Sequence, residues 1–206
     1  MQKIPKTKEN LLNTAISLVW RNSYGLVTID DICKEAGVLK GSFYHYFGSK
    51  QDLTIQSLDY FYTSVRPMFE NIFSPEKEPV QRFEDYCNFV YKSQKELKAL
   101  YGHVCGCPYA SLGCEMSNQD DEIKHRIEEV FTLTQGLFAK TIKDLIDDGL
   151  IDEKAKPTDK AHKAYTYVIG VMMMARIQND LNLIKREMRS GLFNIIGINV
   201  KTPKPA

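Results

Sequence analysis

Along most of this chain apolar residues return every three or four positions, the period of a helix with one buried stripe, and no stretch keeps the strict alternation of a half-buried strand. Leu12, Ala15, Ile16 and Val19, flanked by Leu11 and Leu18, predict a helix over 6–22 that ends in the turn chemistry of Asn22-Ser23-Tyr24-Gly25. Trp20 is expected in the core beneath it. Ile29, Ile32, Cys33 and Ala36 predict a short second helix, opened by Thr28 as N-cap and closed by Gly37, and Phe43 with Phe47 predict a third over 39–47. The stripe resumes over 50–73, where Pro67 is expected to kink or break the helix near Val65 and Arg66. A loop at 74–79 follows, then helices over 80–100, 108–117, 121–147, 157–177 and 181–196. The prediction is an all-α fold of about nine helices, with a polar arm at 1–8 and a disordered tail at 201–206.

The stretch TIDDICKEAGVLKGSFYHYFGSKQDL, residues 28–53, holds two short helical patterns joined through a glycine turn. With Phe43 and Phe47 turned inward, the second pattern presents Lys40, Gly41, Ser42, Tyr44 and His45 outward. A cation and hydroxyls bond phosphates and base acceptors, aromatic rings pack on sugars and thymine methyls, and glycine permits close approach, so the face suits the edge of a duplex. Ser49 is expected to cap the next helix and Lys50, in its first turn, to reach a phosphate. A plain three-helix packing unit with a solvated face is the other reading of the same pattern.

These residues closely resemble the helix-turn-helix signature of the TetR family of bacterial transcriptional regulators, through the ordered combination of AGV, KGSFYHYF and SK. Leu39 stands where the family often has a serine or threonine capping the recognition helix. The resemblance implies a DNA-binding domain at 1–49 and an effector-binding and dimerisation domain at 50–200. It also implies a homodimer on a near-palindromic double-stranded operator, usually as a repressor released by a small-molecule effector. Lys40, Gly41 and Tyr44, with Ser42 and His45, are then expected at base edges, and Thr28, Tyr46 and Lys50 at phosphates. The last two long helices are expected to form a four-helix bundle with a partner, with Tyr165, Val168, Ile169, Met172, Ile177, Leu181, Ile184 and Met188 as seam candidates.

Charge refines this picture. Net charge is only +1, but residues 1–50 carry seven Lys/Arg against four Asp/Glu, which leaves a mildly basic head on a mildly acidic body. The apolar fraction, 43%, is ample for a core. The longest apolar run, 171–175, is far too short to span a membrane and no leader pattern opens the chain, so a cytoplasmic protein is expected. Five cysteines, an odd number, argue for reduced thiols.

Sixteen of the 22 aromatic residues lie from Tyr60 onward. Together with the methionines at 172–174 they either fill a helical core or line a pocket for a hydrophobic ligand, with Phe69, Phe89, Tyr109, Phe131 and Met172 as candidate lining. In HVCGCPYASLGCEMS, residues 103–117, Pro108 opens a helix and sets Cys107 at or next to its N-cap, where the dipole favours a thiolate. The segment resembles a G-C-hydrophobic-x-G-N-L-x-x-E pattern of a TetR-family subset that includes reactive-electrophile sensors, with Ala110 and Ser111 in place of its second Gly and its Asn. Cys107, Cys105 and Cys114 are therefore candidates for redox or electrophile sensing, and a purely structural role stays open beside it. His103, Cys105 and Cys107 match no common zinc spacing, and neither metal nor cofactor is expected. No phosphate-cradling loop, GxSxG or HExxH motif is present, and a Cys-His hydrolase built on Cys107 with His103 or His125 has no orienting partner, so a non-enzyme is expected.

Overall fold

The computed structural model describes residues 4–198, so the first residues of the polar arm and the expected tail at 201–206 lie outside the described residues. Among the described residues there are nine helices and no strand: α1 (Lys6–Arg21), α2 (Ile29–Ala36), α3 (Lys40–Tyr46), α4 (Lys50–Ile72), α5 (Pro79–Tyr101), α6 (Pro108–Met116), α7 (Asp121–Asp147), α8 (Pro157–Gln178) and α9 (Leu181–Ile196). Their ends sit where the chain supplies the chemistry. Prolines open α5, α6 and α8, where a missing N–H costs nothing, and left-handed Gly37, Gly102, Asn179 and Gly197 close α2, α5, α8 and α9. The loop 74–78 is gripped from α5 by the buried Arg82, whose guanidinium donates to the Lys77 and Pro75 carbonyls and pairs with Asp144.

The chain divides into two compact units. One holds the residues up to Pro67 together with Pro108–Val130, and the other holds Met68–Cys107 with the residues from Phe131 onward. The first unit therefore recruits α6 and the start of α7 to α1–α3 and most of α4. Its core gathers Leu11, Leu12, Ala15, Leu18, Ile32, Phe43, Phe47 and Leu53. Trp20 is only half-buried, its ring meeting Phe61 edge-on at 5.7 Å. In the second unit Phe138 meets Phe83 and Tyr86 edge-on at 5.2 and 5.0 Å and Tyr165 at 5.7 Å.

The structure bears on two expectations, the break at Pro67 and the dimer seam. α4 runs unbroken through Pro67: one missing N–H removes a single rung of the ladder, which the rest of the helix tolerates, and the rung lies where α4 leaves the first unit. Among the eight seam candidates, Tyr165, Val168, Met172, Ile184 and Met188 are buried within their own chain, Tyr165 against the Phe131 and Phe138 rings of α7. Ile177 and Met174 remain on the outside, and Met174 lines a shallow apolar groove of about 350 Å³ together with Tyr167, Val171 and Leu183.

Candidate nucleic-acid interface

α2 and α3 are fixed by local chemistry. Thr28 Oγ1 accepts from the Asp31 amide at 3.1 Å, while Asp31 Oδ2 accepts from the Thr28 amide at 2.9 Å and the Thr28 hydroxyl at 2.6 Å. Those bonds hold the Asp31 carboxyl below the usual carboxylate range. The Thr28 hydroxyl is thus already engaged in both directions, although the residue is exposed. Gly37, at φ 65°, turns the chain out of α2. Leu39, 81% exposed, stands at the N-cap of α3 and supplies no capping oxygen.

Because Phe43 and Phe47 are buried, Lys40, Gly41, Tyr44 and His45 face outward and Ser42 is partly exposed. Lys40 Nζ sits 2.8 Å from Asp30 Oδ1, a hydrogen bond that raises its pKa. Exposed pairs of this kind are weak, so the ammonium yields readily to a stronger anion. A Cβ at Gly41 would meet nothing within 4 Å, so intrachain packing does not ask for glycine there. Tyr46 is half-buried against the head core with the His45 ring 4.6 Å away edge-on, and Lys8 Nζ lies 5.4 Å over the Phe47 ring.

Lys50, expected at a phosphate, has partners within the chain. Its Nζ donates to the Tyr24 carbonyl at 2.8 Å and the Val27 carbonyl at 2.9 Å, and lies 4.0 Å from the centroid of the Tyr24 ring. Burial lowers its pKa, with the Glu115 charge opposing. Ser49 Oγ accepts from the Asp52 amide at 3.0 Å, as the capping reading requires. Sequence reasoning passed over Glu115, which accepts from the Ser23 hydroxyl and from the Tyr24 and Gly25 amides. It had a signal: an acidic residue in the last turn of α6, where the helix dipole disfavours it, needs a partner from elsewhere.

The sensing candidates fall in both units. In the second unit, Phe69 stands edge-on to Phe89 at 5.7 Å and Phe131 to Tyr165 at 5.6 Å. There too Met172, Cys105 and Cys107 are buried. In the first unit Tyr109 donates to the Leu58 carbonyl at 3.2 Å, and Cys114 is exposed on α6. Cys107 directly precedes α6, as the proline position requires, but is only 6% exposed. Burial pushes the Tyr86 phenol upward, and the Cys107 and Cys87 thiols add to the shift. No two of the five cysteines are joined, and among the described residues no three His, Cys, Asp or Glu side chains converge as they do around a metal ion.

Residues 11–56 match the profile described as bacterial regulatory proteins, tetR family, and residues 79–190 match the tetracyclin repressor-like C-terminal domain. The chain belongs to the TetR family. This regulator is 26% identical over 180 residues to an uncharacterized HTH-type transcriptional regulator from the lacX 3′ region of Lactococcus lactis, covering 87% of this chain and 88% of that protein. It is 19% identical to the HTH-type transcriptional repressor NemR of Escherichia coli, covering 88% of this chain and 90% of NemR. The crystal structure of reduced E. coli NemR has the same fold, with TM-score 0.77 at 20% identity over 92% of this chain and 97% of that one. A TetR-family regulator from Agrobacterium tumefaciens matches with TM-score 0.82 at 18% identity over 91% and 96%. TetR-family members bind DNA operators and effectors and act as dimers, and this one is a DNA-binding transcriptional regulator of the helix-turn-helix type. Among the described residues no helix is long and apolar enough to cross a membrane.

Proposed function

We propose that this regulator represses transcription by holding a near-palindromic operator as a homodimer and releases it when a small hydrophobic or electrophilic effector occupies the second unit. The observation that carries the DNA half is the outward face of α3, where Lys40, Gly41, Ser42, Tyr44 and His45 share one side of a helix whose other side is locked by Phe43. Lys40 and Tyr44 meet base edges, with Gly41 letting the backbone close in and Ser42 and His45 beside them. Thr28 and Tyr46 border the phosphates, while Lys50 acts one step back by bracing the 23–27 turn. Two such helices roughly 34 Å apart enter successive major grooves. The effector half draws on the ring clusters around Phe69, Phe89 and Phe131, on the buried Cys107 and Met172, and on the likeness to NemR, a named repressor.

The test is fluorescence anisotropy on a duplex that the protein itself selects from a random pool, against a scrambled duplex, across a salt series. Tyr44→Ala is expected to weaken the selected duplex about tenfold or more with little change on the scrambled one, and Lys40→Ala likewise to relax discrimination between the two duplexes. A protein that selects no duplex overturns the reading. Release by N-ethylmaleimide that persists in Cys107→Ser assigns the effector response to something other than that thiol.

A further inference from the structure

Glu115 lies in the last turn of α6, yet its carboxylate is committed to a distant turn. It accepts from the Ser23 hydroxyl at 2.6 Å, from the Tyr24 amide at 2.8 Å and from the Gly25 amide at 2.6 Å. These residues sit between α1 and α2, directly ahead of the cap that starts the helix-turn-helix. Lys50 holds the same turn by its carbonyls at Tyr24 and Val27, so the turn is gripped on its amides by an anion and on its carbonyls by a cation. Burial pushes the Glu115 carboxyl upward, but the three hydrogen bonds and Lys50 bring it below its ordinary value, as an acceptor serving charge-assisted bonds should be.

The chain leading into α6 is tied down separately. Gln94 Oε1 accepts from the Cys105 and Gly106 amides at 3.1 and 2.8 Å, Gln94 Nε2 donates to the Gly106 carbonyl at 3.0 Å, and Arg176 donates to the Cys105 carbonyl at 2.8 Å. Gly106 has φ +70°, and a Cβ there would stand 3.3 Å from Arg176 and the Met172 carbonyl, so the entry to α6 has little freedom. α6 itself is short, about 13 Å long by helix rise, and within the first unit its last turn is tied to the Ser23–Gly25 turn by the Glu115 carboxylate.

We infer that Glu115 is a positioning residue for operator recognition: by holding the Ser23–Gly25 turn, α6 sets the attitude of α2 and α3 for the DNA. This rests on the regulator reading above and adds that the geometry of the reading head is fixed by α6 as well as by the helix that follows the head. Loss of the carboxylate spreads the head over more arrangements, of which only a fraction fits both half-sites, so selective affinity falls by that fraction while phosphate-driven binding stays.

The experiment compares full-length wild type, Glu115→Ala, Ser23→Ala and the double variant by amide hydrogen exchange and by anisotropy on the selected and scrambled duplexes. Expected for Glu115→Ala are at least tenfold faster exchange at the Tyr24 and Gly25 amides, unchanged exchange in α8 and α9, and about tenfold weaker binding to the selected duplex with less than twofold change on the scrambled one. Ser23→Ala is expected to move the same readouts about threefold and to add nothing in the Glu115→Ala background, since both act through one contact. Unchanged exchange at the two amides, intact discrimination between duplexes, or additive effects in the double variant each overturn the inference. A wild type that selects no duplex overturns the regulator reading and this inference with it; a wild type whose selected duplex is bound equally well by Glu115→Ala overturns this inference alone.

Discussion

At the scale of single residues, the sharpest evidence is a glycine that the fold does not need. Gly41 has ordinary helical backbone and open space where a Cβ would go, in a helix of seven residues. Glycine in a helix is disfavoured against alanine by up to about 1 kcal/mol, so the protein holds a weaker helix on the face assigned to DNA. Gly41→Ala is expected to raise head stability by a few tenths to ~1 kcal/mol in urea denaturation and to weaken the selected duplex by tenfold or more; equal or tighter binding would show that nothing approaches that backbone. Glu115 gives a second prediction with a definite sign. Its carboxyl is depressed in the folded state, so the stabilisation from its turn contacts is complete above the unfolded carboxylate range, about 4.3, and is lost only as pH falls through the lower folded value. Its charged neighbour Lys50 and the Tyr24 phenol do not titrate in that window. The Glu115 carboxyl carbon, followed by NMR, should titrate below an exposed glutamate of the same chain; a midpoint at or above it would remove the three-bond assignment.

At the scale of elements, helix limits were legible because they depend on neighbours in sequence. Pro79, Pro108 and Pro157 open helices and Gly37 and Gly197 close them, each by its own backbone restriction. What sequence could not give was pairing over long separations. Nothing local to α6 says that it belongs with α1, and nothing local to Lys50 says that two carbonyls some 25 residues earlier take its ammonium. Gly191 on α9 is a further case. A Cβ there would fall 2.0 Å from the Tyr167 hydroxyl, which donates to the Glu187 carbonyl at 3.0 Å. Helix propensity favours Gly191→Ala by at most ~1 kcal/mol, whereas forcing an aromatic ring out of a packed α8–α9 contact costs about 1–3 kcal/mol, so the clash wins. The variant is expected to be less stable by roughly 1–2 kcal/mol in denaturant titration, and a stabilised variant would show that Tyr167 swings aside at no cost.

At the scale of the whole molecule, the question is which surface makes two chains into one reader. Of the seam candidates, Tyr165, Val168, Met172, Ile184 and Met188 are buried in their own chain, since helical periodicity marks a buried stripe without saying whose neighbour buries it. The apolar side chains left outside on α8 are Ile177, 74% exposed, and Met174, next to the groove beside Val171 and Leu183. A dimer seam on this face would cover them, and a charge there would oppose association without touching the monomer core. The double variant Met174→Glu with Ile177→Glu is expected to sediment as a folded monomer with near-wild-type thermal unfolding at low concentration. Joining two heads makes the second half-site contact intramolecular, an advantage on the order of a hundredfold or more for linked modules, so the monomer should lose at least that much affinity for the selected duplex while its scrambled-duplex binding per head stays close to wild type. A variant that remains dimeric would place the seam elsewhere on the chain. A monomer that keeps full affinity would mean that one head suffices, and then the two-fold operator, rather than the head, is the part of the reading to give up.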